Sequence, residues 1–174
     1  MESQIPLVKK LTLWEIDPPL PLSAYKKHNG LMGFDPGTTH LGIAWATKMG
    51  AILVQVNLER EKNPIKRMIC VHTILNHLLP SMCLVRSCAT SVIEGSSFGD
   101  NFRQVELAEV RSSLAWWLMF NEIGNVHIIP PLSIRKTVFG SAKLKAQDVW
   151  DTEIPNDALA ALSCLYYADK MENE

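Results

Sequence analysis

The chain has 174 residues, of which 47% are hydrophobic and 20% charged, and its formal net charge is -1 at pH 7. This length and apolar content are sufficient for one domain with a full hydrophobic core. The balanced charge excludes the basic surface of a non-specific nucleic-acid coat, so any contact with DNA must depend on local basic patches.

Neither the first residues nor the cysteines indicate secretion, a membrane anchor or structural zinc. Residues 1–10 lack the charged start and long apolar core of a signal peptide, and no apolar run approaches the length of a membrane span. The four cysteines have no Cys-x-x-Cys spacing and form no ligand pattern with the five histidines. We therefore expect reduced cysteines and a soluble cytoplasmic protein, of a bacterium, a phage-infected cell or an organellar matrix.

Residues 1–30 are predicted to form an N-terminal extension, and residues 31–174 a single folded domain. The prolines of the extension exclude a long helix, and they are Pro6, Pro18, Pro19 and Pro21. Its segment Leu11–Ile16 fits either an edge strand or a hydrophobic arm that packs on the domain.

The domain is predicted to begin with three strands, Leu31–Asp35, His40–Lys48 and Ala51–Leu58, the last two joined as a hairpin. A helix at Asn63–Leu79 follows, because its apolar residues recur at helical spacing. The remaining predicted elements are strands at Thr90–Ile93 and Val126–Ile129 and helices at Asn101–Asn121, Ser133–Phe139, Lys143–Trp150 and from about Pro155 to Lys170. This order predicts an α/β fold with a mixed five-stranded sheet flanked by helices.

Three carboxylates occupy element ends that a sheet can bring together. Asp35 and Glu94 each end a predicted strand, and Asp157 lies in the first turn of the last helix. Clustered carboxylates repel one another, so such a site is stable mainly around a hard divalent cation, and oxygen ligands favour Mg²⁺ or Mn²⁺. Two such ions can activate a water and stabilise the leaving oxygen in phosphodiester hydrolysis. The spacing of these three acids is equally compatible with a second interpretation, in which they are only helix caps and turn residues.

Four segments in chain order resemble the RuvC family of Holliday-junction resolvases, within the RNase H-like superfamily. GFDPGTTHLGIA is similar to the family's opening strand, which ends in Asp-Pro-Gly, and SVIEGSSF followed by LAEVR is similar to its second acidic strand, loop and long helix. PPLSIRKTVFGSAKLKAQDVW resembles the family's strand-turn-helix segment, and NDALAALSCLYYA its C-terminal acidic helix. The resemblance covers Leu31 to Ala168 and implies an RNase H-like sheet.

The resemblance implies a homodimeric, Mg²⁺- or Mn²⁺-dependent endonuclease that nicks two opposing strands of a four-way DNA junction during recombination or repair. Asp35, Glu94 and Asp157 would then be catalytic, metal-binding carboxylates. The positions that it implies for DNA binding are Phe98, Arg103, Arg135, Lys136, Lys143 and Lys145. Core packing explains Phe98 equally well, and a solvated charged face is the alternative for the last two lysines.

The long helix Asn101–Asn121 resembles the family's dimerisation helix. It carries Trp116, Trp117 and Phe120, and this is more apolar surface than one contact with the sheet requires. We therefore expect a homodimer.

The chain departs from the family pattern at the C-terminal helix, where the family usually has two acids three residues apart. A gapless alignment puts Asp157 on the first acid and Ala160 on the second. Shifting the register puts Asp157 on the second acid and Ile154 on the first. Either register lacks one carboxylate, and we favour the gapless one because further residues then match, namely Ala161, Leu162 and Tyr167.

Three functions therefore remain open from the sequence. The first is a junction resolvase, active with three acids or impaired by Ala160. The second is a catalytically silent junction-binding protein, which Ala160 favours. The third is a nucleotide-binding fold of the actin and sugar-kinase type. The segment DPGTTHLGIA also resembles the first phosphate loop of that fold. That fold normally needs two such halves, and 174 residues without a second glycine-rich loop are too few.

Overall fold

The computed structural model describes residues 8–17, 30–47, 50–78, 90–95, 101–150 and 153–173, with side chains from residue 104 in the fifth range. The strands in these ranges are β1 (Val8–Ile16), β2 (Leu31–Pro36), β3 (His40–Thr47), β4 (Gly50–Leu58), β5 (Thr90–Glu94) and β6 (Asn125–Ile129). The helices are α1 (Pro64–Leu78), α2 (Asn101–Phe120), α3 (Pro131–Phe139), α4 (Ala146–Val149) and α5 (Asn156–Met171).

The strands form one mixed sheet in the order β1-β4-β3-β2-β5-β6. The pairs β1–β4, β4–β3 and β3–β2 are antiparallel, whereas β2–β5 and β5–β6 are parallel. The predicted mixed α/β sheet is confirmed, but it has six strands in the described residues rather than five. The extra strand belongs to the predicted extension: β1 pairs with β4, and its side chains Trp14 and Ile16 pack against the core.

Helices cover both faces of the sheet, and the alternation of side chains along each strand decides which helix a residue meets. On β2, Met32 and Phe34 point into the core shared with α1 and α2, whereas Leu31 points into the core shared with α3 to α5. On β5, Ile93 belongs to the first core and Val92 to the second. Asp35 follows Phe34 and Glu94 follows Ile93, so both acids face α5.

Helix boundaries differ from the predictions after β6. α3 begins at Pro131, two residues before the predicted start, because proline is well suited to the first turn of a helix. The predicted helix Lys143–Trp150 is reduced to the single turn of α4, since Lys145 at its N-cap is extended and donates its backbone N–H to the Asp148 carboxylate. α5 begins directly after Pro155, as predicted.

Two further expectations concern membranes and cysteines. Within the described ranges, no helix combines the length and the apolar character needed to cross a bilayer. Cys70 and Cys164 are buried as reduced thiols, whereas Cys83 and Cys88 lie outside the described residues.

Candidate active site

Asp35 and Glu94 lie side by side at the carboxyl ends of two parallel strands. Phe34 is level with Ile93 in the β2–β5 pairing, so the residue after each is level as well. Strand alternation turns both carboxylates toward the face that α5 covers. The two strand ends thus bring two acids that are far apart in sequence to one edge of the sheet.

Two glycines bring α5 into backbone contact with the sheet above these strand ends. Gly42 on β3 is paired with Asp35, and a Cβ atom at Gly42 would lie 2.1 Å from the carbonyl oxygen of Asp157. A Cβ atom at Gly33 would lie 2.1 Å from the carbonyl oxygen of Ala161. Because neither glycine has a side chain, the first turn of α5 packs directly on β3, and the turns that follow pack directly on β2. This contact sets the position of Asp157 beside the strand ends.

A cavity of about 210 Å³ opens between the strand ends and helices α3, α4 and α5. Of the residues predicted for the site, those that line it are Asp35, Glu94, Asp157, Ala160, Arg135 and Lys145. Asn156 and Ser163 also line it, and sequence reasoning missed both. The structure thus brings the three predicted acids and two of the predicted basic residues to one cavity.

The other predicted positions lie elsewhere or outside the described residues. Lys136 and Lys143 are exposed and do not line the cavity. Phe98 lies outside the described residues, and of Arg103 only the backbone, in the first turn of α2, is described. Ile154, the alternative position for the missing acid, packs against the core on the α5 face, whereas Ala160 lines the cavity.

The electrostatics of the site are set by half-buried carboxyl groups that raise one another's pKa. Burial raises the pKa of Asp35 well above its usual 3.8, and the charges of Glu94 and Asp157 raise it further. Burial likewise raises the pKa of Glu94, with a smaller contribution from Asp157. Two guanidinium groups, those of Arg135 and Arg111, lower both pKa values in opposition to burial. The acids therefore ionise less readily than in water unless more positive charge approaches.

Arg111 is a part of the site that sequence reasoning missed. Its Nε donates a hydrogen bond of 2.9 Å to the backbone carbonyl of Glu94, and the residue is buried. The available signal was its place on the apolar stripe of α2, together with Val110, Leu114 and Leu118. An arginine on a buried helical stripe needs a charged or polar partner.

Cys164 is a second residue whose place the sequence did not indicate. It lies on α5 behind the carboxylates, and its Sγ donates a hydrogen bond of 3.4 Å to the backbone carbonyl of Phe34. Burial raises the pKa of this thiol well above its usual value, and the charges of Glu94 and Asp35 raise it further. The thiol is therefore neutral and packs between α5 and β2.

The donor chemistry of the cavity is compatible with a hard divalent cation. Asp35, Glu94 and Asp157 supply only oxygen donors, and their repulsion is relieved when a cation lies among them. Within the described ranges, however, no three or more His, Cys, Asp or Glu side chains are arranged closely enough to hold a metal ion. Cation binding would therefore require the carboxylates to draw together.

The described elements form an α/β domain with an RNase H-like fold, which two solved structures share. Thermus thermophilus RuvC matches with a TM-score of 0.60 and 15% identity, covering 78% of this chain and 90% of that chain. T. thermophilus RuvC in complex with a Holliday junction substrate matches with a TM-score of 0.59 and 15% identity, covering 78% of this chain and 89% of that chain. No family model and no curated protein matches the sequence. The chain is therefore RuvC-like in fold.

Proposed function

We propose that the protein is a structure-selective endonuclease that resolves four-way DNA junctions by hydrolysing phosphodiester bonds with Mg²⁺ or Mn²⁺. The observation that carries this proposal is the meeting of Asp35, Glu94 and Asp157 in one cavity that Arg135 and Lys145 also line. A negatively charged cavity bordered by basic side chains suits a phosphate backbone that approaches through a cation. The likeness to a RuvC structure solved with a Holliday junction substrate supports the choice of DNA.

In this proposal Asp35, Glu94 and Asp157 would hold the cation, which would supply, when bound, activation of a water and stabilisation of the leaving oxygen. Arg135 and Lys145 bind the phosphate that flanks the scissile bond. Lys136 and Lys143, which are exposed, contact the DNA backbone further from the cavity. Because the net charge of the chain is -1, this binding is local and selects the branched shape over linear duplex.

Cleavage of a four-way junction in Mg²⁺ tests the proposal directly. The parent should cut the junction and leave a linear duplex of the same sequence intact, whereas Glu94→Gln should bind the junction and fail to cut it.

Changing Lys143 and Lys145 together to alanine should weaken binding and flatten its salt dependence. Lys66→Ala is the matched control, since Lys66 is exposed on α1, on the opposite face of the sheet from α5. Equal affinity for junction and duplex would contradict structure-selective binding.

The second candidate is a junction-binding protein without nuclease activity. It is favoured by Ala160, which lines the cavity beside Asp157 without supplying a carboxylate. Binding and cleavage assayed on the same junction separate the two candidates. Tight binding without any cleavage in Mg²⁺ or Mn²⁺ would favour the silent protein.

The exposed end of α2 supports assembly into a homodimer. Trp116, Met119 and Phe120 are 56%, 68% and 72% exposed, although Trp117 lies in the core. Three rings form a row on this surface: His72 stacks on Trp116 at 5.6 Å, and Trp116 stacks on Phe120 at 5.0 Å. Exposed apolar surface of this kind marks an interaction site. Two matched incisions also require two active sites related by a two-fold axis. Sedimentation that shows only a 19.5 kDa species would contradict the dimer.

A further inference from the structure

Arg111 approaches the two strand-end acids from the opposite side of the sheet to the cavity. It lies on α2, whose apolar side packs against the face of the sheet that α1 also covers, whereas the cavity lies on the side of α3 to α5. Only 8% of its surface is exposed, and its Nε donates to the backbone carbonyl of Glu94 at 2.9 Å. Arg135, by contrast, lines the cavity itself.

Burying a guanidinium among apolar side chains is costly unless its charge is compensated. Val110 and Leu114, its neighbours on α2, are both buried. Burial lowers the pKa of Arg111, and the negative charges of Glu94 and Asp35 oppose that effect. The same two carboxylates are the groups whose own burial needs positive charge nearby. The arginine and the acids thus stabilise one another in the folded chain.

We infer that Arg111 is a positioning residue that serves as the resident counter-cation of the site, fixing the end of β5 through the Glu94 carbonyl and holding Asp35 and Glu94 together before a divalent cation binds. This inference rests on the cation site of the proposed function. A DNA phosphate or a divalent ion enters from the cavity, so neither displaces a side chain that arrives from α2. Without Arg111, the divalent cation alone must offset the repulsion of the acids.

Melting temperatures of the full chain in chelator and in Mn²⁺ test this inference. Arg111→Met removes the charge, and Arg111→Lys retains it without the Nε hydrogen bond. The matched control is Arg67→Met: Arg67 is buried to the same degree, on α1, and is paired with Glu109 rather than with the site. Loss of Arg67 should lower the melting temperature equally in both media.

Arg111→Met should melt well below the parent in chelator, and Mn²⁺ should raise its melting temperature by about 4 °C more than it raises that of the parent. Mn²⁺ should raise the melting temperature of Arg111→Lys by about as much as it raises that of the parent. If Arg111→Met does not fold in chelator, the inference requires that it fold when refolded in Mn²⁺. The inference is overturned if Arg111→Met folds in neither medium. It is also overturned if Mn²⁺ raises the melting temperature of Arg111→Met no more than it raises that of Arg67→Met.

The parent distinguishes this failure from failure of the proposed function. If Mn²⁺ stabilises the parent while Arg111→Met behaves as the Arg67→Met control does, only the role of Arg111 is wrong. If Mn²⁺ does not stabilise the parent at all, the cation site is wrong, and the inference about Arg111 falls with it.

Discussion

Replacing Gly42 with alanine tests the contact that sets the position of Asp157. The added Cβ would lie 2.1 Å from the carbonyl oxygen of Asp157 and 2.6 Å from its carbonyl carbon, whereas real Cβ atoms essentially never come within 3.0 Å of such atoms. Both contacts are with backbone, so no side chain can rotate away, and the start of α5 must retreat by about 1 Å. Overpacking of this kind costs about 1–3 kcal/mol. For a chain of this size, the melting temperature should fall by roughly 2–12 °C.

The same displacement should also slow junction cleavage, because a shift of about 1 Å at a catalytic group can cost roughly 100-fold in rate. Melting curves and junction cleavage in Mg²⁺ measure the two effects. Gly140→Ala is the control, since a Cβ there meets no atom within 4 Å and the cost is backbone strain at a φ of +73°. The control should melt slightly lower than the parent and cleave at the parental rate. Parental stability and cleavage in Gly42→Ala would refute the close packing of α5 on β3.

Three further predictions concern the acids and the dimer. Ala160→Asp should raise Mg²⁺-dependent junction cleavage by orders of magnitude with little change in junction affinity. Ile154→Asp, the control, should not raise cleavage. If the parent already cleaves efficiently and Ala160→Asp leaves the rate unchanged, three acids suffice. Because the pKa of Asp35 is raised in the folded chain, stability in chelator should fall as pH rises from the usual 3.8 through the raised value, so Asp35→Asn should melt above the parent at neutral pH and not in acid. Phe120→Glu should weaken the dimer by at least about tenfold in sedimentation experiments, and an unchanged dimer would place the interface elsewhere.

The sequence alone determined the order of the elements and the place of two acids within them. Apolar runs that end in Asp35 and Glu94 predicted two buried strands, and both strands are present. Alternation along each strand is a local property, but the pairing of β2 with β5 decides that both carboxylates turn toward the same face. The start of α5 was predictable for the same reason, because Pro155 is a local helix-start signal.

Only the tertiary structure decided which distant segments meet. β1 pairs with β4 although a segment of its composition fits an edge strand or a hydrophobic arm equally well. In the sequence, Arg111 is only a polar residue on the apolar face of a helix. The structure shows that its Nε donates a hydrogen bond to the carbonyl of Glu94. Gly42 by itself weakens a strand, yet its missing side chain is what admits the first turn of α5 and sets the position of Asp157. Local propensities describe the neighbours of a residue in sequence, whereas these contacts join residues 17 to 115 positions apart and arise only when the helices pack on the sheet.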